Sequence, residues 1–200
     1  MDIEIRKLTP ELAEDYARFF DVTPHDDHTD KEELPCYCVT WRADDTYACD
    51  GNGNWNHWFK TREERRERAV AFIKSGSLRG YLAYDGDKIV GFMNANADCK
   101  GCVDYLRNFW PIEAYRADIK VKSIFCFVVA PEMQRKGIAT LLVERLCRDA
   151  ADEGFDFVEA YANKNIASDA RGPLAMYEKC GFVKCAEKDG YTVVRKTLRQ

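Results

Sequence analysis

The chain has 200 residues, 46% of them apolar and 32% charged, with 34 acidic against 30 basic side chains and a net charge of −4 at pH 7. That suffices for one well-packed domain, and the acidic balance argues against a nucleic-acid binder, which needs a basic face to release phosphate counterions. No run approaches the roughly 20 apolar residues that span a bilayer, and the opening Met1-Asp2-Ile3-Glu4-Ile5-Arg6-Lys7 has no signal-peptide core, so no membrane partner and a cytoplasmic location are expected.

Ile3, Ile5 and Leu8 alternate with polar residues and predict a first strand, after which Pro10 opens a helix with apolar positions at Leu12, Tyr16, Phe19 and Phe20. Residues 21–60 are rich in Asp, His, Cys, Pro and Gly and read as a long irregular segment. Thr61 to Lys74 predicts a helix, with Thr61 and Glu64 spaced as a capping box and Gly76 beyond its end. Tyr81–Tyr84 and Ile89–Met93 flank the turn Asp85-Gly86-Asp87 as a β-hairpin. A second irregular stretch covers 96–117. Ser123–Val129 is an almost wholly apolar run, expected of a strand covered on both faces. Gln134–Glu153 has helical spacing at Ile138, Leu141, Leu142, Leu146 and Ala150 and is closed by Gly154. Phe155–Tyr161 predicts a strand and Pro173–Lys179 a short helix. Phe182–Ala186 and Tyr191–Leu198 form a last strand pair. The order β-α-α-β-β-β-α-β-α-β-β predicts a mixed α/β sheet in one domain over 1–200.

The most informative stretch runs from Phe127-Val128-Val129-Ala130-Pro131 into Gln134-Arg135-Lys136-Gly137-Ile138-Ala139-Thr140. A buried strand ends there and a long amphipathic helix begins. The first turn of a helix carries unpaired N–H groups and a partial positive charge. Gly137 and Ala139 withhold side-chain bulk, and Arg135 and Lys136 add formal charge, which together build an anion site. The alternative is that Gly137 and Ala139 only let the helix pack closely on the sheet.

These residues, with the second motif Met176-Tyr177-Glu178-Lys179-Cys180-Gly181-Phe182, closely resemble the GNAT superfamily of N-acetyltransferases over 123–182. The resemblance implies the GNAT fold, a central, mostly antiparallel twisted sheet with flanking helices. It implies acetyl-CoA as co-substrate and a primary amine, on a small molecule or a protein, as acceptor. It further implies that backbone groups of Phe127, Val128 and Val129 pair with the pantetheine arm, and that the stretch Gln134, Arg135, Lys136, Gly137, Ile138, Ala139 and Thr140 holds the pyrophosphate. Tyr177 would protonate the departing thiolate. Dimers are frequent in the family, which leaves a homodimer open. Two departures stand out. Many members carry an Asn about seven residues before the Tyr, where this chain has Ala170, with Asn163 or Asn165 as substitutes. Some place a Glu base on the central strand, near Lys122 or Ser123 here, and neither is a carboxylate.

A base must free the amine of its proton before attack. Glu159, Glu113, Asp104 and His57 are the candidates, each also readable as a solvated surface group, and Glu159 is the one placed in the catalytic set. The aromatic stretches Trp55–Phe59 and Tyr105–Trp110 suit a cationic or flat substrate, or else form lids over the sheet edge. The nine cysteines are expected first as free thiols, with no metal assigned. Cys36 and Cys38 with Cys99 and Cys102 leave a zinc-ordered interaction module as one alternative, and a non-catalytic acyl-CoA sensor is another. Cys126, Cys147 and Cys180 read as core.

Overall fold

The computed structural model describes residues 2–23, 36–39, 61–97, 119–163, 170–188 and 191–198. Alternation at the amino terminus forms β1 (Ile3–Lys7), and Pro10 begins a single 3-10 turn that leads into α1 (Ala13–Val22). Then come α2 (Arg62–Lys74), β2 (Gly80–Asp85), β3 (Lys88–Asn96), β4 (Val121–Val129), α3 (Ile138–Asp152), β5 (Phe157–Asn163), α4 (Leu174–Lys179), β6 (Val183–Lys188) and β7 (Tyr191–Thr197). The predicted order of elements is the observed one. The seven strands form one sheet in the order β1-β2-β3-β4-β5-β7-β6. Every pairing is antiparallel except β4 with β5.

Helices cover both faces. Phe92 on β3 packs against Tyr16 and Phe20 of α1, with ring centroids 4.8 and 5.9 Å apart. On the opposite face a Cβ at Gly91 would lie 3.0 Å from the Ile138 side chain, so α3 sits hard against β3 there. Helix α1 buries Tyr16, Phe19 and Phe20, and α3 buries Ile138, Leu142, Leu146 and Ala150, whereas Leu141, expected on the same stripe, is exposed. The capping box of α2 is present, with Thr61 Oγ1 accepting from the Glu64 N–H at 3.1 Å and the Thr61 N–H donating to Glu64 Oε2 at 3.3 Å.

Several boundaries differ from expectation. Helix α1 runs through Asp21 and Val22, which composition had assigned to the irregular segment. Strand β4 starts at Val121 rather than Ser123. Phe155 belongs to no strand, because its N–H bonds back to the Ala150 carbonyl at 2.9 Å to close α3 beside the left-handed Gly154. The largest shift is at the start of α3. It begins at Ile138, not Gln134, because Arg135 (φ 59) and Gly137 (φ 85) are left-handed and cannot continue a right-handed helix. The remaining parts of 21–60 and 96–117 lie outside the described residues, apart from 36–39 and the end of β3 with Ala97. No helix among the described residues is long and apolar enough to cross a membrane.

Candidate functional site

Strands β4 and β5 separate partway along their length. Their parallel register holds from Val121↔Phe157 to Ile124↔Ala160 and then stops. On the other side of β4, Asn94 faces Cys126 while Ala95 faces Ile124, which leaves Phe125 as an extra residue bulged out of the ladder. The bulge bends β4 at the point where its partner leaves. From there to Val129, no described strand pairs with that edge of β4, and the space between the two strands is here called the gap.

The alternation of the antiparallel ladder decides which peptide groups point into that gap. The Ala130 N–H bonds the Val90 carbonyl at 2.9 Å, so the next residue whose backbone bonds β3 is Val128, opposite Phe92. Phe127 and Val129 direct theirs the other way. The Phe127 N–H meets the Ala170 carbonyl at 2.5 Å, and the Val129 carbonyl accepts from the Gln134 side-chain amide at 3.4 Å. Of the three residues expected to present main chain to an extended ligand, Phe127 and Val129 direct their backbone groups away from β3, whereas Val128 spends its groups on β3.

Beyond Val129 the chain makes a 3-10 turn at Pro131–Met133 and reaches the corner at Gln134–Gly137, whose residues are all exposed. The Leu141 N–H is the first to enter the helical ladder, bonding the Gly137 carbonyl at 3.0 Å. The N–H groups of 135 through 140 have no backbone acceptor among the described residues. They gather at the amino end of a 15-residue helix, where its dipole is positive. A Cβ on Gly137 would meet nothing within 4 Å. Close packing on the sheet therefore does not explain this glycine; the φ of 85° does, and the direction its side chain would take is open. Arg135 and Lys136 flank it. Ala139 and Thr140 are half-buried, and Ile138 anchors the turn in the core.

Tyr177 lies across the gap on α4, fully buried, with its ring 6.4 Å from that of Phe127 and 5.3 Å from that of Phe182. Its hydroxyl donates to the Arg171 carbonyl at 2.6 Å. Ala170-Arg171-Gly172 thus forms a strap, fastened to β4 through Ala170 and to α4 through Arg171. The Arg171 guanidinium stacks 4.2 Å over the Tyr191 ring. Gly172 (φ 82) leaves no room for a side chain, since a Cβ would lie 3.0 Å from Met176 Cε and 3.3 Å from both Phe127 and the Tyr177 oxygen. The strap escaped the sequence reading, which saw at Ala170 only a missing Asn side chain; what the position contributes is a carbonyl. The Gly172-Pro173 pair was the available turn signal.

Glu159 is not a solvated surface group. It is fully buried on β5, with Oε2 accepting from Arg195 Nε and Nη2 at 3.1 and 2.8 Å and Oε1 accepting from the Tyr161 hydroxyl at 2.8 Å. Burial pushes its carboxyl above the ordinary 4.5, and the bonds from Arg195 and Tyr161 pull it part of the way back. The Tyr161 hydroxyl also lies 3.4 Å from Ser123 Oγ, and its ring stacks on the bulge residue Phe125 at 6.1 Å. Sequence reasoning missed Arg195 and Tyr161, because neither strand pattern marks which cross-strand neighbours share a face. Asn163 ends β5 opposite Tyr191. Asn165, His57, Asp104, Glu113, Cys99, Cys102 and both aromatic stretches lie outside the described residues.

A parted parallel pair of strands, a donor-rich helix start and a buried tyrosine meet at the carboxyl end of β4. The acetyltransferase (GNAT) family model matches residues 40–182. The chain belongs to the GNAT acetyltransferase family; it is an N-acetyltransferase with acetyl-CoA as co-substrate, which answers the sensor and zinc-module alternatives in favour of an enzyme. A sequence search of curated proteins gave no match. Solved structures share the fold at low identity. A GNAT-family acetyltransferase from Streptococcus pneumoniae is 17% identical, over 98% of this chain and 99% of its own, with a TM-score of 0.54. The PaiA N-acetyltransferase of Thermoplasma acidophilum, solved with coenzyme A, is 16% identical over 98% and 99%, with a TM-score of 0.54. The Drosophila melanogaster polyamine N-acetyltransferase, which forms N-acetylagmatine, is 11% identical over 98% and 100%, with a TM-score of 0.55.

Proposed function

We propose that this enzyme acetylates a primary amine, of a small molecule or a protein, by direct attack of the neutral amine on the acetyl group, with Tyr177 as general acid. The observation that carries the reading is the set of backbone N–H groups at 135–140 without backbone acceptors, at the open end of the gap that Tyr177 lines. Acetyl-CoA supplies an activated acetyl group. The amides of Arg135 to Thr140 hold its pyrophosphate, with Arg135 and Lys136 adding charge and Gln134 bracing the end of β4. The Phe127 carbonyl and the Val129 N–H receive the pantetheine arm as an added strand.

As the new C–N bond forms and the C–S bond breaks, the Tyr177 hydroxyl gives its proton to the leaving sulfur. Its present acceptor, the Arg171 carbonyl, keeps the phenol in place until then. The proton shed by the amine passes to Glu159 through the Tyr161 hydroxyl, which donates to Glu159 Oε1 and whose ring stacks on the bulge residue Phe125. Release of free CoA across a panel of primary amines tests the reading. At least one amine should give turnover that falls about 100-fold in Tyr177→Phe; full activity in that variant removes Tyr177 as the acid.

A further inference from the structure

Three thiols gather on the face of the sheet covered by α1, away from the phosphate corner. Cys38 Sγ lies 2.7 Å from Cys126 Sγ, two side chains separated by 88 positions in sequence. Both are buried, at 2% and 7% exposure. Cys36 adjoins them, its Sγ accepting from the Cys38 N–H at 3.2 Å, and both Cys36 and Cys126 bear on the Cys38 thiol. Cys36 alone of the three is half-buried rather than buried. Asn94 donates to Cys38 Sγ at 3.2 Å, and Tyr16 donates to the Tyr37 carbonyl at 2.6 Å, so the 36–39 segment is docked on β3, β4 and α1. Cys38 is held there with a left-handed φ of 53°.

The separation of the sulfurs bears on what the site does. Two thiolates on one tetrahedral metal, each about 2.3 Å from it, stand roughly 3.7 Å apart. Two sulfurs in a disulfide stand about 2.05 Å apart. The Cys38 and Cys126 sulfurs are in direct contact, with no atom between them, which suits a disulfide rather than a shared metal. Among the described residues no group of three or more His, Cys, Asp or Glu side chains is arranged to hold a metal ion.

We propose that Cys38 and Cys126 are an oxidation site at which a hydroperoxide-class oxidant joins them in a disulfide, with Cys36 as the entry thiol. The peroxide transfers one oxygen to the Cys36 sulfur and leaves as alcohol or water. The Cys38 thiol attacks that sulfenic acid, forming a transient Cys36–Cys38 bond and releasing water. The Cys126 sulfur then attacks Cys38, its proton passing to the expelled Cys36 sulfur. In sum, two thiols lose two electrons and two protons, and the peroxide is reduced. The route accounts for access: Cys36 meets the oxidant, whereas burial pushes the Cys38 thiol up and keeps it unreactive toward solvent. The product staples the 36–39 segment to β4 one residue before Phe127.

The test is peptide mapping of the full chain, without reduction, after exposure of the reduced protein to stoichiometric hydrogen peroxide. The expected result is one cross-linked peptide pair through Cys38 and Cys126, reversed by dithiothreitol, with slower deuterium exchange in 36–39. Cys36→Ser should form the same bond about tenfold more slowly. Wild-type protein, folded by circular dichroism, that yields no Cys38–Cys126 link overturns the proposal. So does a zinc or copper ion that copurifies and blocks the oxidation. A Cys36→Ser variant oxidised at the wild-type rate removes the entry role.

Discussion

Three residues are central to the proposed chemistry, and each makes a separate prediction. Tyr177→Phe removes the proposed proton donor and leaves the Arg171 carbonyl without its 2.6 Å partner. Beyond the loss of turnover, denaturant unfolding should show about 1 kcal/mol less stability. Gly137→Glu sets a left-handed penalty of roughly 1–2 kcal/mol against no packing clash, since nothing lies within 4 Å of the new Cβ. The fold should survive with a carboxylate beside the proposed anion site, and calorimetric titration should show acetyl-CoA affinity reduced at least about 100-fold. Glu159→Gln replaces the carboxylate beside the Arg195 guanidinium, which is only 14% exposed, with a neutral amide of the same shape and should abolish turnover if Glu159 takes the amine proton. It should also change the pH profile of stability. Because burial holds the Glu159 carboxyl above its ordinary 4.5, the native state keeps that proton longer than the unfolded chain. Stability is therefore full below 4.5 and falls as pH rises through the native value. The glutamine variant should lack that component of the slope in denaturation series across pH.

At the scale of elements, local signals were the legible ones. The capping box at Thr61 and Glu64 is a contact between residues three apart, so the sequence states it in full, and Thr61→Ala should lower the unfolding free energy by about 1 kcal/mol without altering turnover. The helical stripe of α3 was equally readable, yet its first turn was misplaced, because periodicity cannot register that Arg135 and Gly137 take left-handed φ values of 59° and 85°. The correction matters for function, since it turns a helical first turn into a loop whose amides have no backbone acceptor among the described residues. What lies between elements was not legible. The bulge at Phe125, the parting of β4 from β5 after Ile124 and the Ala170–Gly172 strap all depend on cross-strand register, which no local pattern encodes. Glu159 could be nominated from its strand, but its burial between Arg195 and Tyr161 needed the β5–β7 pairing to be seen.

On the scale of the whole molecule, the sheet order places the only parallel pair among the described strands at its centre, with antiparallel ribbons on either side. A parallel pair is joined by a crossover helix, here α3, whose amino end necessarily emerges at the carboxyl end of β4. Topology thus brings the helix dipole, the edge of β4 beyond its β5 pairing and α4 to one end of the sheet, inside the span 40–182 that the family model matches. The account rests on the main chain at that end gripping a diphosphate, and backbone amide NMR measures this directly. On saturation with acetyl-CoA the account predicts that the N–H signals of residues 135–140 move as a group, with those of Val129 following. Saturation that leaves these signals where they were contradicts it.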